Sequence, residues 1–230
     1  WASILVLTTV VSVQALIFQD GGLLALGANI FNMAIVGVLT ANFIYVSFLR
    51  ISSSKRWGIF TGGFMAAWLS IVISSFAVAL QLAFSGTSPA NIAVPAMGAI
   101  HAVIGLGEGL ITIGALAVVL STRPDLLQKD QTITIRDRLV WVLGLAFSIA
   151  LAVLSPLASS HPDGLEWVAE QQGFLKAAQG PAFKLVPDYV FPGISNDAAA
   201  TIAAGIIGTI IVFGIIFAAG RLQHRREDSS

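Results

Sequence analysis

The chain contains no cysteine. That excludes a disulfide framework, a thiolate metal site and a cysteine nucleophile. It has three histidines, so a metal site built entirely from imidazoles of this chain is not expected. Charge is scarce as well. Only 10% of residues are Asp, Glu, Lys or Arg, against about a quarter in an ordinary soluble domain. No Walker-type glycine loop, dinucleotide fingerprint or nucleophile elbow occurs. The chain is therefore not expected to be an enzyme. If ATP hydrolysis drives it, the ATPase is another chain. No nucleic-acid partner is expected.

What the sequence has in excess is apolar length. It is 56% hydrophobic with a mean hydropathy of +0.87, which marks an all-α, polytopic membrane protein. In lipid every backbone polar group must be satisfied within the segment, and a helix does this. Six apolar segments are predicted as helices: about Ala2–Phe18, Leu24–Leu49, Trp57–Phe84, Ala93–Leu120, Leu139–Leu157 and Ala198–Gly220. Asp20-Gly21-Gly22 reads as a tight turn. Pro95 is placed in the first turn of its helix, where proline is tolerated. A polar stretch of about forty residues separates the last two helices. It is too long for an ordinary connection and so is read as functional or partly folded.

Basic residues orient such a chain. With six alternating helices, Arg50, Lys55, Arg56, Arg123, Lys129, Arg136, Arg138, Arg221, Arg225 and Arg226 fall on one side. Lys176 and Lys184 fall on the other, together with Asp20, Asp163, Glu166, Glu170, Asp188 and Asp197. Both visible termini are thus expected to be cytoplasmic, with residues about 158–197 external. The opening Trp1-Ala2-Ser3-Ile4 has no Met, no basic region and no cleavage site. The expectation is a fragment whose upstream part is missing.

Three polar sets interrupt the apolar background. Asn29, Asn32 and Met33 are three and four residues apart and would project from one helical face. They are either helix-packing glue or the lining of a polar site. Gln14, Gln19 and Gln81 lie toward the outer ends of their helices, and with the asparagines they suggest an externally accessible polar cavity. Glu108 is the only charged residue inside a predicted span, with His101 two turns earlier and Gly105, Gly107 and Gly109 around it. It either fixes two helices as a hydrogen-bonded carboxyl or serves a function at that depth.

Ser160-His161-Pro162-Asp163-Gly164-Leu165-Glu166 opens the external stretch. Pro-Asp-Gly is turn chemistry, and Asp163 is expected to cap a helical turn over Leu165–Gln171. A cation held by His161, Asp163 and Glu166 lacks a fourth ligand, so the turn and cap are preferred. Phe174, Phe183, Tyr189 and Phe191 would let the segment lie against the bundle or the membrane surface.

Val13 to Gly22, Leu26-Gly27-Ala28-Asn29, Asn32-Met33 and His101 through Thr112 together resemble the M subunit of cobalt and nickel energy-coupling-factor transporters, the CbiM/NikM family. The likeness covers about Trp1–Leu120. Ser160 to Ala169, held between two membrane helices, resembles the small N-type component, or PDGLE domain, over roughly Arg138–Gly220. The resemblance implies a substrate-binding membrane domain over 1–122, four helices of a larger bundle. A cytoplasmic connector over 123–138 and a two-helix hairpin over 139–230 would follow.

The implied activity is capture of Ni²⁺ or Co²⁺ as the transported substrate, cobalt uptake serving cobalamin biosynthesis. The implied partners are a membrane coupling (T) subunit and a cytoplasmic ATP-binding cassette ATPase, in a prokaryotic inner membrane. In that family the metal is held by a Met-His start and by a histidine upstream of Trp1, so no direct ligand carries over to this chain. Asn29, Asn32, Met33, His101 and Glu108 become candidates for supporting roles. Imidazole and backbone nitrogen in a tetragonal site suit Ni²⁺ and, less selectively, Co²⁺. The rival readings are a component of the same type for another substrate, such as a vitamin, and a non-transporting membrane anchor.

Overall fold

The fold comes from a computed structural model, which describes residues 1–52, 54–122, 136–157, 163–177, 183 and 185–227. The apolar runs form helices because a continuous helix leaves no backbone group unpaired between its ends. They are α1 (Ala2–Phe18), α2 (Leu23–Ile51), α3 (Lys55–Phe84), α4 (Ala90–Thr122) and α5 (Arg136–Leu154, extended by a 3₁₀ turn to Leu157). A short α6 (Gly164–Gln171) and a long α7 (Asp197–Glu227) follow. Leu23–Ile51, Arg56–Phe84, Ala90–Ser121 and Asp197–Arg221 are long and apolar enough to cross a membrane. Ala2–Phe18 and Gly144–Leu157 are apolar but shorter. No strand occurs among the described residues. The chain is an all-α, multi-pass membrane protein.

The predicted starts and stops hold to within a turn, except that the last helix runs on to Glu227 rather than stopping at Gly220, and one further correction applies. α4 begins at Ala90, not Ala93, so Pro95 lies inside the helix rather than in its first turn. Pro89 initiates the helix early by accepting from Ile92 N (3.0 Å) and Ala93 N (2.9 Å). Two stretches widen to π-helix, Gln14–Phe18 and Ile30–Gly37. The first ends at Gln19, whose φ of 58° is left-handed. Gly21 and Gly22 follow at φ 77° and 75°, the backbone the predicted turn requires.

Two compact units form, and neither follows chain order. One draws on residues 31–131 and 162–179. Here α3 and α4 pack through notches: a methyl group on Gly105 would stand 2.7 Å from Trp68 Cδ1, and one on Gly109 would stand 2.7 Å from Phe64. Trp68 Nε1 also donates to the Ala102 carbonyl (2.9 Å). α6 docks on this pair by burying Val168 against Ala79, Ala93 and Met97. The other unit draws on residues 1–30, 132–161 and 180–230. In it Phe18 of α1 packs with Val13 and Ala204, and α5 meets α7 where Gly205 lies against Ala152.

Candidate functional site

In the first of these units an amide pair forms the most enclosed polar contact. Asn32 is 2% exposed. Its Nδ2 donates to Gln81 Oε1 (2.8 Å) and its Oδ1 accepts from Gln81 Nε2 (3.0 Å). The π-turn of α2 widens the helix around it, and Ser74 Oγ donates to the Asn32 carbonyl (2.9 Å). The two carboxamides thus satisfy each other and lock α2 to α3, each hydrogen bond contributing about 1 kcal/mol. Met33 is 49% exposed. The shared face expected for Asn32 and Met33 is therefore not formed: within the π-run, residues 32 and 34 turn inward while 31, 33 and 35 turn outward.

His101 lies one turn above Met97. Its Nδ1 is 2.8 Å from the Met97 carbonyl oxygen, which can only accept, so Nδ1 is the donor in this bond. The imidazole face is covered by the start of α6. A Cβ built on Gly164 would fall 2.8 Å from His101 Cε1 and 2.9 Å from Nε2. Asp163 caps that helix as expected, its Oδ1 accepting from Glu166 N (2.7 Å). The Asp-Gly-Leu-Glu run therefore has a physical reading. Aspartate starts the helix, glycine lets it sit on the imidazole, and Leu165 packs beside the buried cluster. His161 and Pro162 lie outside the described residues.

Glu108 is exposed, and it has no hydrogen-bond or ion-pair partner among the described residues. Among the described residues Glu108 therefore fixes no second helix. The glycines around it divide: Gly105 and Gly109 face Trp68 and Phe64 of α3, whereas a Cβ on Gly107 would meet nothing within 4 Å.

In the other unit the Gly21-Gly22 turn is fastened from two directions. Asn29 Nδ2 donates to the Gly21 carbonyl (2.8 Å). Tyr189 Oη donates to Asp20 Oδ2 (2.7 Å), Gln14 Nε2 reaches both Tyr189 Oη (3.2 Å) and Asp20 Oδ2 (3.3 Å), and Phe18 stacks on the Tyr189 ring at 4.7 Å. Val186 N donates to the Ile17 carbonyl (3.1 Å). Burial, and next the bond to Asp20, push the Tyr189 phenol well above its ordinary pKa. Asp20 and Tyr189 were legible only as a turn residue and a surface aromatic, because nothing in the sequence links positions 169 apart.

Gln14 and Tyr189 also stand in the wall of a groove of about 630 Å³ between α1, α5 and α7. Ser148 and Thr209 line it too, but their hydroxyls bond their own helices, to Gly144 O (2.9 Å) and Gly205 O (2.8 Å). The surface left is apolar. Of the residues expected to line a polar cavity, Gln14 and Asn29 bond within this unit and Asn32 and Gln81 bond each other within the first, while the buried Gln19 amide has no partner among the described residues. Among the described residues no three His, Asp or Glu side chains gather closely enough to hold a metal ion.

Residues 1–126 match the model of the cobalt uptake substrate-specific transmembrane region, CbiM, and residues 137–225 match the PDGLE domain. The chain belongs to the CbiM family. Over 230 residues it is 32% identical to NikMN of Archaeoglobus fulgidus, named as a fused nickel transport protein, covering 96% of this chain and 72% of that one. It is 27% identical to the fused nickel transport protein NikMN of Rhodobacter capsulatus, covering 96% of this chain and 74% of that one. It is 32% identical over 136 residues to the cobalt transport protein CbiM of Sorangium cellulosum, covering 58% of this chain and 60% of that one. No solved structure matches. As a CbiM-family member with a PDGLE domain, the chain is a membrane transport protein and not an enzyme.

Proposed function

We propose that this chain is the substrate-specificity component of an ATP-driven energy-coupling-factor importer that captures Ni²⁺ or Co²⁺ from outside a prokaryotic cell. One observation carries the reading: a cobalt-uptake match over residues 1–126 is followed by a PDGLE match over 137–225, and the chain aligns over 96% of its length with a relative named as a fused nickel transport protein. In this reading residues 1–122 belong to the substrate-binding membrane domain, whose direct metal ligands lie upstream of Trp1, 123–138 form a cytoplasmic connector, and 139–230 form the hairpin with its external segment at about 158–197. The termini described here face the cytoplasm of an inner-membrane protein. A membrane coupling subunit and a separate cytoplasmic ATPase supply the energy. Imported cobalt would feed cobalamin biosynthesis.

Asn29, Asn32 and His101 act in this proposal as positioning groups. Each spends polar atoms on a neighbour in the chain, on Gly21, Gln81 and Met97 respectively, and so holds turns and helices rather than the ion. Met33 and Glu108, both exposed, would meet whatever lies against the bundle.

The test is accumulation of radioactive Ni²⁺ and Co²⁺ in a host stripped of its own nickel and cobalt importers. The full-length gene product is expressed with its coupling subunit and ATPase. At least one ion should accumulate above the empty-vector level, and the signal should vanish when the ATPase is omitted. Equal accumulation without the ATPase removes the energy-coupling assignment. No accumulation of either ion removes the metal assignment.

A further inference from the structure

We propose that the π-run of α2 is a two-register joint. Ser74 and Gln81 of α3 hold it in its wide register, and closing it to α-helix turns the Leu23–Asn29 flank. The inference concerns the chain's own movement and holds whichever ion is carried.

The hold comes first. Ile30–Gly37 is wide over eight residues, inside a helix long and apolar enough to cross a membrane. Such runs are rare, mostly single turns, and recur at functional sites, so something has to keep this one open. Ser74 Oγ donates to the Asn32 carbonyl (2.9 Å), and a Cβ on Gly37 would stand 3.4 Å from that hydroxyl. The hydroxyl thus lies against residues five apart, the spacing that a π-turn brings together. Gln81 stands seven residues further along α3, on the same face. It pairs with the Asn32 carboxamide in both directions (2.8 and 3.0 Å). Asn32 is therefore gripped by main chain and side chain at once, and both grips come from α3.

The sequence pattern suits a second register. Asn29, Asn32 and Met33 are spaced for one face of an α-helix, whereas the wide run turns 32 and 34 inward and 33 outward. Closing one wide turn rotates everything before it by one residue, about 100° around the axis and ~1.5 Å along it. That flank carries the Gly21-Gly22 turn with it, because Asn29 Nδ2 donates to the Gly21 carbonyl (2.8 Å). The two compact units divide α2 at the same place, between Ile30 and Phe31. Behind the run, α3 is closed on α4 at Gly105 and Gly109. α3 is the fixed side of the joint and the flank is the moving side.

The experiment attaches nitroxide labels to Leu24→Cys on the flank and Phe84→Cys at the end of α3, both highly exposed positions. The full-length gene product, freed of any other cysteine, is reconstituted in vesicles of phosphatidylcholine and phosphatidylglycerol. Pulsed electron resonance reads the distances between the labels. Ser74→Ala and Gln81→Leu should each raise a second, discrete distance to at least three times its share in the parent. Ser70→Ala is the control, because that hydroxyl bonds Ala67 O within α3 (2.9 Å), and it should leave the distribution unchanged. Deleting Ile35, an outward residue of the run, takes out the extra residue while keeping the flanks in their present relation. The second distance should then vanish and the main one remain. Distributions for Ser74→Ala and Gln81→Leu that match the parent overturn the proposal. So does an equal shift in Ser70→Ala, a broadening without a second distance, or a second distance that survives the deletion.

Discussion

Between α3 and α4, glycines sit where a methyl group has no room, whereas along α5 and α7 Gly144 and Gly214 face open space. The two regions share residue types and hydropathy. They differ in what stands opposite the glycine. Trp68, Phe64 and Phe76 fill the notches at Gly105, Gly109 and Gly98, and Leu116 fills the one at Gly63. Along the groove the opposing side chains are smaller, as at Val6 and Val10, and space remains. A small residue closes a contact between membrane helices only where something on the neighbour, a large side chain or a close backbone, stands opposite it. The first region is a closed joint and the second an open groove.

Gly105→Leu should break the closed joint most severely. Its Cβ would stand 2.7 Å from Trp68 Cδ1 and 3.2 Å from the Trp68 carbonyl. A side chain can turn away, but a backbone oxygen cannot, so the helices must separate. The expected loss is about 3 kcal/mol or more, at the upper end for overpacking. It would be read as a lowered unfolding midpoint together with loss of the Trp68 Nε1 bond to Ala102.

The Gly164 contact sharpens the same comparison at a smaller scale, because its obstacle is a removable side chain. Gly164→Ala would drive a methyl group into the His101 ring and cost about 1–3 kcal/mol. His101→Ala should restore room, so the double variant ought to regain most of the α6 protection that Gly164→Ala loses. Hydrogen exchange over residues 164–171 reports it directly. Failure of the second change to rescue the first would mean that the imidazole is not what selects glycine there.

This difference also explains which features were legible in the sequence. Helix extents were, because hydropathy alone determines them: the predicted Trp57–Phe84 is observed as Lys55–Phe84. The cap at Asp163 was legible because capping is local. Partnerships were not. Asn32 finds Gln81 across 49 residues, and Tyr189 finds Asp20 across 169. The π-run at Ile30–Gly37 was also hidden, since it shifts the phase of a pattern that a regular helix of 3.6 residues per turn would keep. For that reason Met33 was assigned to the face of Asn32 and is found outside it.

In the open region the strongest single fastening is Tyr189 on Asp20. Tyr189→Phe keeps the stack on Phe18 and removes the hydroxyl, with an expected loss of about 1–2 kcal/mol for a bond to a charged acceptor. The pH dependence has a defined sign. Folding raises the phenol's pKa, so its contribution is fully present below the unfolded value of about 10 and declines as pH rises above it. Ultraviolet difference titration of the chain against Tyr189→Phe should show that the phenol lost in the variant is one still protonated at a pH where an exposed phenol has ionised.

Gly144→Leu should have the smallest effect, and for that reason it tests the comparison most directly. Gly144 lines the groove, and nothing lies within 4 Å of the Cβ it would gain. Leucine there extends into space rather than into a neighbour, while glycine in a helix interior already costs about 0.5–1 kcal/mol relative to alanine. The expected change in stability is therefore within about 0.5 kcal/mol, and stabilising if the added methyl groups find the groove wall. A loss approaching that of Gly105→Leu would mean that the groove is closed in the membrane and that the two regions are built alike. A null result in the isolated protein, joined to loss of transport in the assembled system, would assign the groove to an occupant outside this chain.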